Sequence, residues 1–456
     1  MKRLLVFVFL LPIICTSQYT SIPDSIFEQR LIDLGYDTTH DGQVLTADIV
    51  NVDSLFLENP HIPGTFSFAY WPILDLTGIE DFSNLIYLNC SNNFLTSLDL
   101  SQNTALKYLD CSVFDWSFGM GQTTSGNLSN LNISQNNLLE TLICDLNPLT
   151  NLNVSLNTAL TYLSCNGTGL TSLNLSQNPN LTILNCRDNE LQTLDLSHNT
   201  SLLKLDCGHG EMLQTWSTVT THLTNLDLSQ NINLTSLNCS GNALSNLDLT
   251  QNPNLTFLNC RDNQLQTLDL SHNIGLLKLD CGNDEWQSFS NRNQITNLDL
   301  TQNPDLTYLN CFYNSLSNLD LTQNPDLTYL NCAYNSLSNL DLTQNPDIDT
   351  LDCGGNQLDT LDLTQNPNLS IFYGRRNSLS NLDLTQNPNL TLINCSHNSL
   401  SNLDLRNGHN TNIFGLYIQY NDSLYCVSVD DSTWSANNWP MPAAPWLANA
   451  WINIDT

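Results

Sequence analysis

Basic residues are scarce in this chain of 456 residues. It carries 12 Lys and Arg against 44 Asp and Glu, which gives a formal net charge of −32. No Lys or Arg lies between Arg292 and Arg375. Such a field repels a phosphate backbone, so the composition argues against nucleic-acid binding. A solvated acidic surface is the favoured interpretation, and attraction for cations or for a basic partner is the alternative.

Long apolar segments are absent beyond the amino terminus. There, Lys2 and Arg3 precede an apolar run, and Cys15 and Ser17 stand three and one residues before a predicted cleavage site at Gln18. The run is too short to span a membrane. A lipoprotein attached through Cys15 is less favoured, because bulky residues precede it where small ones are required. We therefore predict an exported protein, secreted or at the cell surface, without a membrane span.

Catalytic motifs are missing as well. The sequence contains no Gly-rich phosphate loop, no His-Glu-x-x-His and no Ser-centred elbow. His198 and His272 replace Gln in a recurring turn, and we interpret them as turn residues. We therefore predict a protein that is not an enzyme and needs no cofactor.

A repeat of 21 residues fills most of the chain. Between Ile295 and Leu405, Leu-Asp-Leu recurs every 21 residues, and Leu-x-x-Leu-x-Cys lies between successive copies. In an extended strand, Leu and Cys then point inward while Asp and Asn point outward. One unit cannot bury its apolar side alone, but stacked units form a continuous core. The pattern predicts a repeat solenoid of leucine-rich-repeat type, a right-handed coil with two short parallel β-strands per turn.

A column of cysteines accompanies the repeat. It comprises Cys90, Cys111, Cys144, Cys165, Cys186, Cys207, Cys239, Cys260, Cys281, Cys311, Cys332, Cys353 and Cys395, and Gly374 takes the place of Cys in one turn. This column predicts about 14 turns, at a strand spacing of ~4.8 Å. Disulfides are not predicted, because neighbouring side chains are parallel and their Cβ atoms lie farther apart than the ~3.8 Å of a disulfide. The cysteines are interpreted as small buried hydrophobic residues.

Asparagines mark the turns. Asn314, Asn324, Asn335 and Asn345 each follow a strand. Their side chains are expected to bond backbone groups that the bend leaves unpaired, and identical neighbours should form a ladder. Pro in the recurring Gln-Asn-Pro fixes a corner, because it cannot extend a strand.

The flanks of the repeat differ from it. The predicted organisation is a signal peptide (1–17), an amino-terminal cap (18–78), the solenoid (79–425) and a Trp- and Pro-rich carboxy-terminal cap or tail (426–456). In the small α/β cap, Asp24 should begin a short helix that Gly35 ends, with short strands after it. Asp37, Asp41 and Asp48 match part of a calcium-loop template, but an ordinary polar turn is favoured. No metal is therefore predicted.

Three departures from the period are candidates for ligand binding. The spacing between cysteines grows to 33 residues after Cys111, 32 after Cys207 and 30 after Cys281, always before the next Leu-Asp-Leu. All three loops should leave one edge of the solenoid, where insertions often build a binding face. Their candidate residues are Trp116, Phe118, Trp216, Trp286 and Phe289. The alternative is that the loops cover the apolar edge. Residues 181–208 and 255–282 are nearly identical, so the second and third loops are interpreted as copies of one event.

Two outward columns are further candidates. Tyr308, Phe312, Tyr313, Tyr329 and Tyr334 should stack beside one another, either as binding hot spots or only to stiffen the sheet. The Asp of Leu-Asp-Leu forms the second column, and three earlier turns carry Asn instead. That exchange favours a hydrogen-bonding role over a cation site.

The repeat resembles a known family. The unit Leu-x-x-Leu-x-Cys-x-x-Asn-x-Leu-x-x-Leu-Asp-Leu-x-x-Asn is similar to the repeats of internalin-J-like bacterial proteins with a cysteine ladder, and residues 76–82 resemble the entry into their first repeat. The resemblance implies adhesion or protein binding. We therefore predict a monomeric exported protein that binds a protein or glycan. The alternative is a structural spacer or coat element without a specific ligand.

Overall fold

The computed structural model describes residues 18–60, 71–113, 126–210, 222–284, 292–439 and 453–455. The chain forms two compact units: the amino-terminal unit (1–116 and 124–149) and the carboxy-terminal unit (117–123 and 150–456). The predicted signal peptide and the loop residues Trp116, Phe118, Trp216, Trp286 and Phe289 lie outside the described residues. In the described ranges, no helix has the length and apolarity needed to cross a membrane.

The described elements are mostly strands of three residues. The helices are α1 (Ser25–Asp33), α2 (Thr46–Ile49) and α3 (Ser432–Asn438), and 3-10 turns lie at Ile79–Asp81 and Asn410–Asn412. The strands are β1 (Tyr19–Ser21), β2 (Gln43–Leu45), β3 (Ser54–Phe56), β4 (Tyr87–Asn89), β5 (Ser97–Asp99), β6 (Tyr108–Asp110), β7 (Asn130–Asn132), β8 (Thr141–Ile143), β9 (Tyr162–Ser164), β10 (Ile183–Asn185), β11 (Lys204–Asp206), β12 (Ser236–Asn238), β13 (Phe257–Asn259), β14 (Lys278–Asp280), β15 (Tyr308–Asn310), β16 (Tyr329–Asn331), β17 (Thr350–Asp352), β18 (Ile371–Tyr373), β19 (Asn381–Asp383), β20 (Leu392–Asn394), β21 (Asn402–Asp404), β22 (Gly415–Tyr417), β23 (Cys426–Ser428) and β24 (Asn453–Asp455).

The amino-terminal unit begins with the predicted cap helix. The Asp24 carboxylate accepts the N–H groups of Ile26 and Phe27 at the start of α1, and Gly35 follows its end with a φ of 82°. A short helix, α2, then forms where only strands were expected. Strands β1 and β2 pair antiparallel, β3, β4, β6 and β8 pair parallel in that order, and β5 pairs with β7.

The carboxy-terminal unit stacks the repeats in register. Strands β9 to β18, β20 and β22 pair parallel, with Tyr308 opposite Tyr329 and Leu309 opposite Leu330. This confirms the predicted parallel β-solenoid. Strand β22 belongs to one turn more than the cysteine column predicted, because Ile418 stands where the other turns have Cys.

The second strand of each turn forms less often than predicted. In the carboxy-terminal unit, the described Leu-Asp-Leu triplets form strands only at β19 and β21, which pair with each other, and the sheet continues from β21 through β23 to β24. Corner side chains bond across turns whether or not this strand forms, as at Asn136 beside the paired β5 and β7. Asn324 Nδ2, for example, donates to the carbonyls of Leu300 and Asn303 in the preceding turn at 3.1 and 2.8 Å.

Two asparagine ladders line the core. The strand asparagines, three residues after most of the cysteines, use both ends of the amide. Asn263 Nδ2 donates to the carbonyls of Cys239 and Cys260, and its Oδ1 accepts the Leu244 N–H, all at 3.0 Å. The corner asparagines of Gln-Asn-Pro and its variants bond only through Nδ2. At Asn252, these bonds reach Leu228 and Asn231, and in the described structure Oδ1 has no hydrogen-bond partner. The predicted ladder is therefore confirmed.

One turn has different residues at both inward positions of its cysteine strand. Where its neighbours have Leu and Cys, it has Phe372 and Gly374. Phe372 is fully buried, and a Cβ added at Gly374 would overlap its ring. The larger aromatic side chain therefore fills the space that a cysteine would occupy.

The cysteines are separate thiols. All 14 described cysteines are free, and all except the half-buried Cys426 are buried. Burial raises the pKa of the Cys239 and Cys395 thiols to about 12, so the reactive thiolate is rare at neutral pH.

We expect a thiol reagent to label Cys426 quickly in the native protein and the buried thiols only on unfolding. Titration in denaturant, on protein purified without reductant, should then find about 14 thiols per chain. A total below ten would contradict the ladder of free thiols. A native protein with several fast-reacting cysteines would contradict their burial.

Candidate functional site

The turn after the cysteine strand has a left-handed backbone. We call the second residue after each Cys position, where φ is positive, the left-handed column. It comprises Asn92, Leu146, Gly167, Asp188, Gly241, Asp262, Tyr313, Tyr334, Gly355, Arg376, His397 and Tyr420. Three described residues at this position, Val113, His209 and Asn283, do not have positive φ. These three turns are the ones that carry the long insertions.

Acidic or amide side chains mark the turn before each insertion. The left-handed column has Asn92, Asp188 and Asp262 at those three places, and no other Asn or Asp. The Asp188 carboxylate accepts the Gly210 N–H at 2.8 Å, and the Asp262 carboxylate accepts the Asp284 N–H at 2.7 Å. In both cases, the acceptor in one turn holds the first residue of the insertion in the next. Sequence reasoning missed these anchors, although the repeated Cys-Arg-Asp-Asn could have indicated them.

The anchors also gather ionisable groups. Asp188 is paired with Arg187 Nε at 3.2 Å and with His209 Nδ1 at 2.9 Å, and the His222 ring lies 5.1 Å from that of His209. Burial, followed by the nearby His209, lowers the pKa of His222. In the second copy, Arg261 Nε pairs with Asp262 at 3.0 Å. These pairs fix the insertion roots.

The predicted aromatic residues do come together. We call Tyr308, Phe312, Tyr313, Tyr329 and Tyr334 the aromatic ridge. Its members are half-buried rather than fully exposed. The rings of Tyr308 and Tyr329 stack at 4.4 Å, those of Tyr313 and Tyr334 stack at 5.2 Å, and Phe312 meets Tyr334 edge-on at 5.4 Å.

Arginines cover both ends of one stack. The Arg292 guanidinium lies 4.4 Å from the centroid of the Tyr313 ring, and that of Arg375 lies 5.9 Å from the Tyr334 ring. Such cation–π contacts hold the rings in place. Burial, followed by the charge of Asp280, raises the pKa of Tyr308, so its hydroxyl stays protonated. The ridge therefore offers ring edges and hydroxyl groups.

The turns that follow the two duplicated segments differ in their aromatic residues. In the turn after the first copy, Ser236, Ser240 and Gly241 stand where Tyr308, Phe312 and Tyr313 follow the second copy. Gly241 and Tyr313 have nearly the same φ, 66° and 60°. A left-handed backbone is unfavourable for a bulky residue. The same backbone conformation is therefore strained at Tyr313 and unstrained at Gly241.

The column of aspartates has a structural role. Asp320 Oδ1 accepts the backbone N–H and the hydroxyl of Thr322, at 3.0 and 2.8 Å, and Asn153 likewise accepts the Ser155 N–H at 3.0 Å. These hydrogen bonds lower the pKa of Asp320. A shallow groove of about 530 Å³ includes Asp341 and Asp362 in its lining. The position needs a side-chain oxygen, as the exchange with Asn predicted.

The loop that partly matches a calcium site is bonded to other groups of the protein. The buried Glu28 carboxylate accepts the N–H groups of Asp41 and Gly42 and pairs with His40 at 3.1 Å. Asp37 accepts the N–H groups of Thr38 and Thr39, while Asp48 belongs to α2. Across the described parts of the chain, no three His, Cys, Asp or Glu side chains are grouped to hold a metal ion.

Solved structures share this architecture. The functional domain of InlJ from Listeria monocytogenes, which includes a cysteine ladder, is 31% identical over 90% of this chain and 82% of that one, with a TM-score of 0.73. A leucine-rich-repeat protein of Leptospira interrogans is 25% identical, over 70% and 80%, with a TM-score of 0.59. YopM from Yersinia enterocolitica is 26% identical, over 83% and 78%, with a TM-score of 0.55.

No protein-family model and no curated protein matches the chain. The match to InlJ spans most of both chains and includes the cysteine ladder, which the sequence repeat had indicated. The chain therefore belongs to the internalin-J-like family of leucine-rich-repeat proteins with a cysteine ladder.

Proposed function

We propose that this protein is exported and binds another protein through the aromatic ridge, at the cell surface or outside the cell. The observation that carries the proposal is the ridge itself. Half-buried tyrosines offer a large contact area at little cost in conformational entropy, together with a polar group, which makes them frequent binding hot spots. Adhesion is the biological role that such binding would serve.

The comparison between the two copies favours binding over a purely structural role. A spacer or coat element has no need of a feature that is present in the turn after one copy and absent from the turn after the other. The turn with Ser236, Ser240 and Gly241 forms the same paired strand without stacked rings. Stiffening the sheet therefore does not require Tyr308, Phe312 and Tyr313.

The test uses the chain's own alternative residues. We expect the variant Tyr308→Ser/Phe312→Ser/Tyr313→Gly to fold, because the first copy carries these residues on the same backbone. Arrays of 15-residue peptides and of glycans are probed with labelled protein comprising residues 18–456. The wild type should retain peptide ligands, and the variant should bind them at least about tenfold more weakly, as for loss of a hot spot.

A matched control removes an equal stack elsewhere. The rings of Tyr87 and Tyr108 stack at 4.2 Å in the amino-terminal unit. The variant Tyr87→Ser/Tyr108→Ser should keep the ligands. If the ridge variant melts within a few degrees of the wild type and binds every ligand equally well, the proposal is wrong. A wild type that retains no ligand at all would favour the spacer.

A further inference from the structure

The few basic residues are concentrated on one side of the carboxy-terminal unit. We call the outward residues of β9–β18, β20 and β22, together with the turn after each of these strands, the cysteine-strand face. Eight Lys and Arg lie between residues 150 and 439. Seven of them are on this face or at an insertion root that borders it: Arg187, Lys204, Arg261, Lys278, Arg292, Arg375 and Arg376. The eighth, Arg406, is paired with Asp404 at 2.6 Å.

Within the described ranges, two of these arginines have no acidic partner. Arg187 and Arg261 pair with Asp188 and Asp262. In the described structure, neither Arg375 nor Arg376 has a carboxylate within 4.0 Å, although the chain as a whole is strongly acidic. Arg375 Nε is buried without a hydrogen-bond partner there. Arg376 is exposed in the left-handed column.

In the Tyr313–Tyr334 pair of the ridge, neighbouring groups cover the ring faces. Tyr313 has Arg292 against its ring and is stacked with Tyr334, which in turn has Arg375 and Gly355 against its ring. Tyr308 and Tyr329 are stacked on each other, at an interplanar angle of 7°. A sugar ring binds to aromatic residues by stacking on an open face. Peptide groups and carboxylates can instead bond the hydroxyl edges and the guanidinium groups.

We propose that the cysteine-strand face binds an acidic segment of a partner protein, with carboxylates at Arg375 and Arg376 and neighbouring residues along the aromatic ridge. The proposal rests on the proposed function and names the chemistry of its partner. Arginine binds carboxylates through two parallel hydrogen bonds. Lys204 and Lys278 are exposed on the same face, each two residues before an aspartate of the same strand, Asp206 and Asp280.

The net charge of −32 does not oppose this docking at close range. Charges more than about 8 Å away are screened at physiological ionic strength, so the residues next to the arginines decide the local potential. The Asp352 carboxylate lies near the Arg375 side chain, on either side of Gly354, and accepts the Gly354 N–H at 3.0 Å. Asp284 lies 3.7 Å from Arg261 and accordingly faces a basic group of its own chain.

Peptide display tests the proposal. A library of random 15-residue peptides is selected on immobilised wild-type protein (residues 18–456) and sequenced. We expect the selected peptides to be enriched in Asp and Glu. Their affinity should fall at least about tenfold in Arg375→Ser/Arg376→Gly, and should fall when NaCl rises from about 0.05 to 0.5 M. The neighbouring turns already carry Gly354-Gly355 and Ser396-His397, so the variant should fold.

The outcomes separate this inference from the proposed function. Peptides that lose affinity for the ridge variant Tyr308→Ser/Phe312→Ser/Tyr313→Gly but show no acidic excess, or bind Arg375→Ser/Arg376→Gly normally, would overturn the inference alone. Peptides that bind both variants as they bind the wild type, or a failure to select any, would count against both. The variant Arg406→Ser is the control and should keep full affinity. Oligogalacturonate, a carboxylated sugar, should not bind; binding sensitive to the two arginines would overturn the choice of a peptide.

Discussion

Replacing Asn263 with Ala is expected to lower the free energy of unfolding by about 3 kcal/mol or more, because it removes three buried hydrogen bonds and leaves one buried N–H unpaired. The unpaired N–H is that of Leu244, and the other two bonds reach the carbonyls of Cys239 and Cys260. Those carbonyls keep second donors in the amides of Asn242 and Asn293. Asn263 has no exposed surface, so water cannot replace the lost bonds without opening the core. The change is measured by urea unfolding followed by circular dichroism.

Two other asparagines provide a graded control. Asn252 is equally buried but bonds only through Nδ2, so Asn252→Ala should cost less, about 2 kcal/mol. Asn246 is exposed, and Asn246→Ala should change stability by less than about 0.5 kcal/mol. Because repeats contact mainly their neighbours, hydrogen exchange near Cys239 and Cys260 should locate the loss. Equal costs for all three variants would show that the ladder adds nothing to ordinary burial.

Exchanging Phe372 and Gly374 for the usual Leu and Cys should be tolerated only as a pair. Gly374→Cys alone places a side chain in the space of the Phe372 ring, and overpacking of this kind costs about 1–3 kcal/mol. Phe372→Leu alone leaves a cavity beside Gly374, at a cost of similar size. The double variant has the same two residues, Leu and Cys, as most other turns. It should therefore be more stable than either single variant.

A double-mutant cycle measures this coupling. The difference between the double variant and the sum of the single variants should favour the pair by about 1–3 kcal/mol. Thermal or urea unfolding of the four proteins supplies the values. Thiol titration of the double variant should also find one more buried cysteine than in the wild type. Strictly additive costs would mean that Phe372 does not fill the missing cysteine position.

The core was predictable because its signal is local and repeated. Leu at 309 and 330 and Cys at 311 and 332 recur with the period of the turn, and alternation along a strand fixes which side chains are buried. For the same reason, a second strand was predicted in more turns than form one in the described structure. Alternation cannot show whether backbone groups pair across turns, and the corner amides do not show it either, because Asn136 and Asn324 bond across turns with and without a paired strand.

Long-range polar contacts explain most of what sequence reasoning missed. Asp262 holds Asp284 across 22 residues, and Glu28 holds the turn at Asp41 from within a helix. The Glu28 contact follows from no repeated pattern, and the Asp262 contact is repeated only once, at Asp188. The stacking of Tyr308 with Tyr329 was predicted, since the repeat places them in register. The left-handed backbone of Tyr313 was not, because such a conformation usually indicates glycine.

The insertion anchors also define where this scaffold accepts foreign sequence. An Asp or Asn in the left-handed column supplies a hydrogen-bond acceptor one turn ahead of the place where the chain departs, as Asp188 does for Gly210 and Asp262 for Asp284. Gly167 and Gly355 occupy the same backbone position without an acceptor. Pairing Asp at such a site with a graft in the following turn gives a route to modular recognition loops. Lineages that gain loops by copying repeats would inherit each docking point together with its loop.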